Sequence, residues 1–172
     1  MAFTVCDPKI LGGNVFAMLD DQWMLVCGGD REAHNMMTAS WGAFGVVWNK
    51  PAAHCYVRKT RYTYEFIEKQ DTFSLCFFPE RYREQMNLCG TKSGRDLDKT
   101  EACGFTTAYT DDGVPFFNEA ELVFICRKLY WHDLDPQRFL DSRIERFYPL
   151  HDYHREYVGV ITQVLKKTEE AS

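Results

Sequence analysis

Apolar and polar residues alternate with a period of two along much of the chain, which is the pattern of half-buried β-strands. The clearest strand candidates are the segments 15–19, 23–27, 43–48, 53–57, 72–77, 121–131 and 157–165. Asp20-Asp21-Gln22 lies between the first two and predicts a hairpin. Asn49-Lys50-Pro51 is a second turn signal. So many strands predict a mainly β fold, an antiparallel barrel that is closed or nearly closed.

Short helices are predicted between these strands. Their expected starts, in chain order, are Thr63, Pro79, Asp96 and the pair Asp135-Pro136. Thr63 is a favourable N-cap, with Glu65 in the first turn of the helix that follows. Gly90 suits the end of the second helix. The tail from Lys166 onwards is expected to fray.

Composition indicates one globular domain over residues 1–172, with its core between about 13 and 165. The chain is 45% hydrophobic and 15% aromatic, and no repeat or linker divides it. A net charge of -5 argues against nucleic acid as the main partner. We expect no membrane partner, since no apolar run approaches the length of a span. The N-terminus has no signal-peptide pattern.

The seven cysteines are odd in number, and none forms a C-x-x-C pair. Several lie inside apolar runs, as Cys76 does, which is typical of reduced core cysteines. Reduced cysteines predict a cytoplasmic protein and disfavour a zinc site, so no metal is expected.

A basic run, Arg58-Lys59-Thr60-Arg61-Tyr62-Thr63, concentrates three cations and two threonine hydroxyls in six residues of an acidic chain. A helix is predicted to begin there, and the N–H groups of a helix start bind phosphate. The run therefore predicts a site for one small phosphorylated ligand. A solvated loop before an ordinary helix is the alternative.

Two further segments could bind the same ligand. The first contains Thr38, Ala39, Ser40 and Gly42, whose small side chains would let backbone N–H groups approach a planar ring. A plain strand-to-loop transition is the alternative for it. The second, residues 89–99, offers glycines, hydroxyls and three cations. Two separate basic loops favour one anionic ligand, because a phosphate gains most from several donors acting together.

The order of these segments resembles the flavin reductase-like proteins of the FMN-binding split-barrel fold, including flavoredoxin. The motifs that carry the resemblance are the segments 37–42, 58–63 and 93–96 together with Lys99, and it covers roughly residues 13–164. The resemblance implies an antiparallel Greek-key split barrel of six strands with a few short helices. It also implies a homodimer that binds FMN without a covalent bond.

The resemblance also implies the residues of the site. The ring would be lined by Thr38, Ala39, Ser40, Trp41 and Gly42. The ribityl chain and phosphate would lie near Arg58, Thr60, Arg61 and Thr63. The phosphate side would be closed by Cys89, Gly90, Thr91, Ser93, Gly94 and Lys99. Two questions stay open: which of Lys92, Arg95 and Lys99 reaches the phosphate, and whether His151 and His154 lie in a surface loop or touch the ring or substrate.

The function that the resemblance implies is oxidoreduction by a flavin reductase-type enzyme. Electrons would pass from NAD(P)H through FMN to an unidentified acceptor. Hydride transfer itself requires no acid or base from the protein, so we name no catalytic residue. An FMN electron carrier like flavoredoxin, which oxidises no nicotinamide, is the alternative. A barrel that binds another phosphorylated cofactor, or that has lost its ligand, is a third.

Overall fold

The computed structural model describes residues 2–168. In that range the strands are β1 (Phe3–Cys6), β2 (Met24–Gly29), β3 (His34–Ala39), β4 (Gly42–Val47), β5 (Lys50–Arg58), β6 (Thr72–Phe77), β7 (Thr107–Tyr109), β8 (Pro115–Phe117), β9 (Leu122–Asp133) and β10 (His154–Lys167). The α-helices are α1 (Tyr62–Lys69), α2 (Arg83–Thr91) and α3 (Lys99–Cys103). Short 3-10 helices cover Pro8–Ile10, Glu80–Tyr82, Pro136–Arg138 and Ser142–Phe147, and a π-helix covers Ala17–Gln22.

The described strands form one antiparallel eight-stranded sheet and a separate β7–β8 pair. The order in the large sheet is β3-β2-β6-β9-β10-β5-β4, and β1 pairs with β10. This confirms the mainly β, antiparallel split-barrel prediction, although the large sheet has eight strands where six were expected. One reason is the length of β10: its first half pairs with β5 and its second half with β1.

Side chains from the two faces of the sheet enter two separate cores. On β2, Met24 and Val26 point into the barrel, and Leu25 and Cys27 point into a second core under the helices. Because both faces are buried, β2 is apolar at successive positions. The barrel core also contains Ile67, Phe73, Leu75, Phe77, Phe124 and Tyr157. The second core contains Met36, Phe78, Met86, Phe105, Phe117 and Ile125.

The first predicted hairpin is wrong. Residues 17–22 are π-helical, so only the second of its two strands, β2, exists. Leu19 packs into the barrel core from this helix, while the neighbouring Phe16 is exposed. The chain reverses at Trp23, whose φ of 68° lies in the left-handed region. A backbone in that conformation cannot continue an extended strand, so the period of two in this segment was misleading.

The helix boundaries also differ from the prediction. Thr63 is inside the first turn of α1, and Arg61 occupies the N-cap position. Gly90 lies within α2, which continues to Thr91. The third helix begins at Lys99 because the Asp98 carboxylate, not Asp96, accepts the first free N–H groups. The fourth is only the 3-10 helix Pro136–Arg138, shorter than expected.

The C-terminal end of the chain is more ordered than the sequence predicts. The predicted fraying is wrong for Lys166 and Lys167, which belong to β10 and pair with β1. Residues 169–172 of that prediction, and residue 1 of the predicted domain, lie outside the described residues. All seven cysteines are free thiols, as predicted.

Among residues 2–168, no helix is long and apolar enough to cross a membrane.

Gly28 allows α1 to pack closely on β2. A Cβ atom at this position would lie 2.6 Å from Ile67 Cγ1 and 2.9 Å from the Ile67 backbone nitrogen. Gly28→Ala should therefore lower the free energy of unfolding by about 1–3 kcal/mol, measured by urea denaturation. Gly45→Ala is the matched control, because a Cβ there meets nothing within 4 Å. Equal denaturation midpoints for the two variants would contradict this packing.

Candidate functional site

Two cavities adjoin at the end of the barrel where β3 and β5 finish. The larger has a volume of about 210 Å³ and is lined by Met37, Thr38, Ala39, Ser40, Trp41, Tyr56, Arg58, Arg61 and His154. The smaller has a volume of about 90 Å³ and is lined by Thr60, Arg61, Tyr62, Thr63, Thr91, Lys92, Ser93, Gly94 and Lys99. Arg61 lines both, so the two cavities meet at its side chain.

Strand register brings the walls of the larger cavity together. On β5, Cys55 and Val57 point into the barrel core, so Tyr56 and Arg58 lie on the opposite face. His154, at the start of β10, is the direct cross-strand neighbour of Arg58. The segment 37–41 leaves β3 beside them. A single cavity wall is therefore built from three separate strands.

The smaller cavity is cationic. Its described lining residues include Arg61, Lys92 and Lys99 and no acidic side chain. Lys99 is only 3% exposed, and its ammonium donates to the carbonyls of Met36 and Cys89, both at 2.9 Å. Burial lowers the pKa of Lys99 to about 8. An ammonium has three donors, so one remains for a ligand.

Arg61 joins the start of α1 to the end of α2. Its guanidinium donates to the Gly90 carbonyl at 2.8 Å and to the Cys89 carbonyl at 3.2 Å. Burial, and then the charge of nearby Arg58, lowers the pKa of Arg61. These bonds fix the plane of the guanidinium and leave its other N–H groups for a ligand between the cavities.

The segment 91–94 closes over a buried polar contact. Thr63 is fully buried, and its hydroxyl accepts a hydrogen bond of 3.0 Å from the Asn35 amide. Gly94 lies against the same amide: a Cβ there would be 2.2 Å from Asn35 Oδ1. Only glycine allows this approach, so residue 94 ties the loop to β3.

The structure places most of the predicted site residues around the two cavities. Those on the larger one are Thr38, Ala39, Ser40, Trp41, Arg58 and Arg61. Those on the smaller one are Thr60, Arg61, Thr63, Thr91, Ser93, Gly94 and Lys99. The predicted residues that line neither are Gly42, Cys89 and Gly90. Gly42 faces Met24 in the barrel, whereas Cys89 and Gly90 supply the carbonyls that hold Arg61.

The cations of the two basic loops have different roles. Lys92 and Lys99 line the smaller cavity, whereas Arg95 pairs with the Glu65 carboxylate and lies 4.7 Å from the centre of the Tyr62 ring. Lys59 pairs with Asp133 at 2.6 Å and lines neither cavity. Residues 2–168 contain no group of three or more His, Cys, Asp or Glu side chains suited to a metal ion.

One wall of the larger cavity is aromatic and uncharged. His154 is 8% exposed and shares a 2.8 Å hydrogen bond with the Tyr148 hydroxyl. The centre of its ring lies 4.8 Å from the centre of the Trp41 ring. Burial, and then the Arg58 cation, lowers the pKa of His154 to about 4. The Arg58 charge is balanced by Asp152 at 2.6 Å. Of the two alternatives left open, the surface loop therefore applies to His151, which is exposed, and not to His154, which is buried in β10.

Of the lining residues, Tyr56 is not indicated by the sequence, Met37 is placed only within the motif 37–42, and His154 is left as an open alternative. Tyr56 lies on the predicted strand 53–57, and Arg58 follows it by two positions; extending that strand by one residue, as β5 does, would have placed both on one face. For His154 the only indication is the family resemblance, which leaves its role open. Its position depends on the pairing of β10 with β5, which a single sequence does not give.

The low pKa of His154 makes stability depend on pH. The unfolded chain takes up a proton near pH 6.5 and the folded chain only near pH 4, so stability is lost as the pH falls through this window. Between pH 7 and pH 5 the loss should be about 2 kcal/mol. His154→Gln should flatten this slope in urea denaturation, whereas His151→Gln, in the exposed loop, should retain it. The same slope in both variants would exclude a neutral, buried His154.

The sequence and fold match known proteins. Residues 19–159 match the sequence model of a family described as flavin reductase like domain. A comparison with curated proteins gives no significant match.

Similar solved structures show the same fold. Flavoredoxin from Methanosarcina acetivorans is 24% identical with a TM-score of 0.66, over 96% of this chain and 77% of that one. Flavoredoxin of Desulfovibrio vulgaris (Miyazaki F) is 21% identical with a TM-score of 0.65, over 96% and 78%. An FMN-binding protein from Thermus thermophilus, with bound 1-cyclohex-2-enone, is 21% identical with a TM-score of 0.64, over 92% and 79%. At these identities the likeness supports the fold alone.

Proposed function

The chain belongs to the flavin reductase-like domain family, and from this premise we propose that its two adjoining cavities bind FMN. The phosphate occupies the smaller cavity and the isoalloxazine ring the larger one. The observation that carries the proposal is the position of Arg61, which lines both cavities. One elongated ligand with an anionic end can therefore contact Arg61 while it fills both.

The residues of the smaller cavity fit a phosphate. Arg61, Lys92 and Lys99 supply positive charge, and Thr60 and Ser93 supply hydroxyls. A phosphate dianion gains most from such charge-assisted donors when no carboxylate competes for them. Because Lys99 and Arg61 are already fixed by backbone carbonyls, they lose little freedom when the ligand binds.

The residues of the larger cavity fit a flat, uncharged ring system. His154 is neutral at pH 7 and Arg58 is paired with Asp152, so the wall that these two residues form carries no unbalanced charge. Ala39 and Ser40 are small and leave space beside the ring for a second ligand. FMN bound there would supply hydride acceptance and electron transfer, and the residues of the two cavities would position its ring and hold its phosphate.

We propose that the FMN-loaded protein is an oxidoreductase that takes electrons from NAD(P)H and delivers them to a further acceptor. We also propose that it acts as a homodimer. Apolar side chains at the rim of the larger cavity support a partner there: Trp41 is 40% exposed and Phe147 42%, and their ring centres lie 5.6 Å apart. Exposed apolar groups side by side are typical of an interface.

Arg61 should matter for the phosphate specifically. Arg61→Ala should weaken FMN binding at least about tenfold, because it removes charge-assisted hydrogen bonds. Lys59→Ala should change it by less than about twofold, since its exposed ion pair with Asp133 lies outside both cavities. Fluorescence titration of the apoprotein measures both affinities.

Riboflavin, which lacks the phosphate, is the control for these titrations. Its affinity should be unchanged by Arg61→Ala if the cavity itself is intact. Equal FMN affinities for the Arg61→Ala and Lys59→Ala proteins would reject the phosphate site.

Turnover separates an enzyme from an electron carrier. The FMN-loaded protein should consume NADH or NADPH continuously when a flavin or quinone acceptor is present. The loss of the nicotinamide absorbance band at about 340 nm measures this consumption. The apoprotein is the control and should show no consumption. Tight FMN binding without turnover by any acceptor would favour the electron-carrier alternative.

A further inference from the structure

Two cysteine thiols are in contact beside the smaller cavity. Cys89 is on α2 and fully buried, and Cys103 ends α3 and is 8% exposed. Their sulfur atoms are 3.5 Å apart and both thiols are free. A disulfide bond is about 2.0 Å long, so the two atoms need to approach by about 1.5 Å to form one.

The segment between these thiols forms much of the cavity wall. Lining residues between Cys89 and Cys103 are Thr91, Lys92, Ser93, Gly94 and Lys99. Residues 92–98 of this segment are neither helix nor strand. The Cys89 carbonyl also accepts hydrogen bonds from Arg61 and Lys99. A bond between the sulfurs would therefore close a loop that carries the anion-binding groups.

The two thiols differ in reactivity. The two thiols share a hydrogen bond, and this contact, with the charge of Lys99, lowers the pKa of Cys103. The same contact and burial raise the pKa of Cys89. The thiolate is the nucleophilic form of cysteine. Cys103, which is also the more accessible, is thus the residue that reacts first.

We propose that Cys89 and Cys103 form a reversible disulfide that staples the anion-binding segment and tightens FMN binding. The oxidant is a peroxide. The Cys103 thiolate attacks one peroxide oxygen, the O–O bond breaks, and hydroxide leaves with Cys103 as a sulfenic acid. The Cys89 sulfur then attacks the Cys103 sulfur, the S–O bond breaks, and water leaves. In sum, two thiols and one hydrogen peroxide give one disulfide and two waters.

The effect on affinity follows from the order of the segment. Residues between the sulfurs are held only by non-covalent contacts in the dithiol form, so part of the binding free energy is spent on ordering them. A cross-link between residues 14 positions apart removes much of that freedom before the ligand arrives. This effect rests on the proposed FMN site; formation of the disulfide does not.

The test begins with the fully reduced protein, treated with hydrogen peroxide in steps up to one equivalent. Remaining thiols are alkylated and peptides are mapped by mass spectrometry. We expect one cross-link, between Cys89 and Cys103, that dithiothreitol reverses. FMN titration should show about threefold to tenfold tighter binding after oxidation. The urea midpoint of the ligand-free protein should rise as well.

Matched variants make the test specific. Cys103→Ser, or Cys89→Ala if that protein fails to fold, should lose both the cross-link and the gain in affinity. Cys6→Ser changes a half-buried thiol on β1 and should retain both. Failure to form the cross-link, or an oxidised protein with unchanged FMN affinity, would overturn the proposal. A protein that binds no FMN when reduced would contradict the FMN site instead; the peptide map would then decide whether the disulfide forms, and the urea midpoint whether it stabilises the segment.

Discussion

The hydrogen bonds of one buried ammonium connect the elements on which the site depends. Lys99 lies on α3, and its donors reach the Met36 carbonyl on β3 and the Cys89 carbonyl on α2. A buried cation is costly unless its donors are satisfied, so these carbonyls must stay in place. Arg61 donates hydrogen bonds to carbonyls of the same turn of α2. Two cations held this way keep their positive charge directed at one small cavity, although the chain as a whole is acidic.

The two-sided burial of the sheet fixes the rest of the geometry. Because Cys55 and Val57 fill the barrel, Tyr56 and Arg58 have to lie on the outer face of β5. A slip of one residue would exchange the two sets, so packing in the core specifies the register of the wall. His154 follows from the same register through its pairing with Arg58. The core therefore positions side chains that it does not contain.

Elements that local sequence patterns encode were predicted correctly from the sequence. Features that depend on contacts between distant parts of the chain were not. Strand β6 was found because its apolar run is bounded by turn residues. The helix at 17–22 was missed because its alternation is short and Trp23 adopts an unusual backbone conformation. The clustering of cations and small residues indicated the loops of the site, since charge and size are visible in sequence. The position of His154 could not be decided from sequence, because it depends on the pairing of β10 with β5.

The two cavities differ in charge, and this difference gives a ligand its direction. In the larger one, Arg58 is balanced by Asp152, and His154 is kept neutral by burial. The unbalanced positive charge lies on Lys92 and Lys99 in the smaller one and on Arg61, which lines both. An elongated ligand placed the other way round would put its anionic end against a neutral wall and lose the charge-assisted bonds. For the proposed ligand, with a flat uncharged ring at one end and a phosphate at the other, we therefore expect one orientation only.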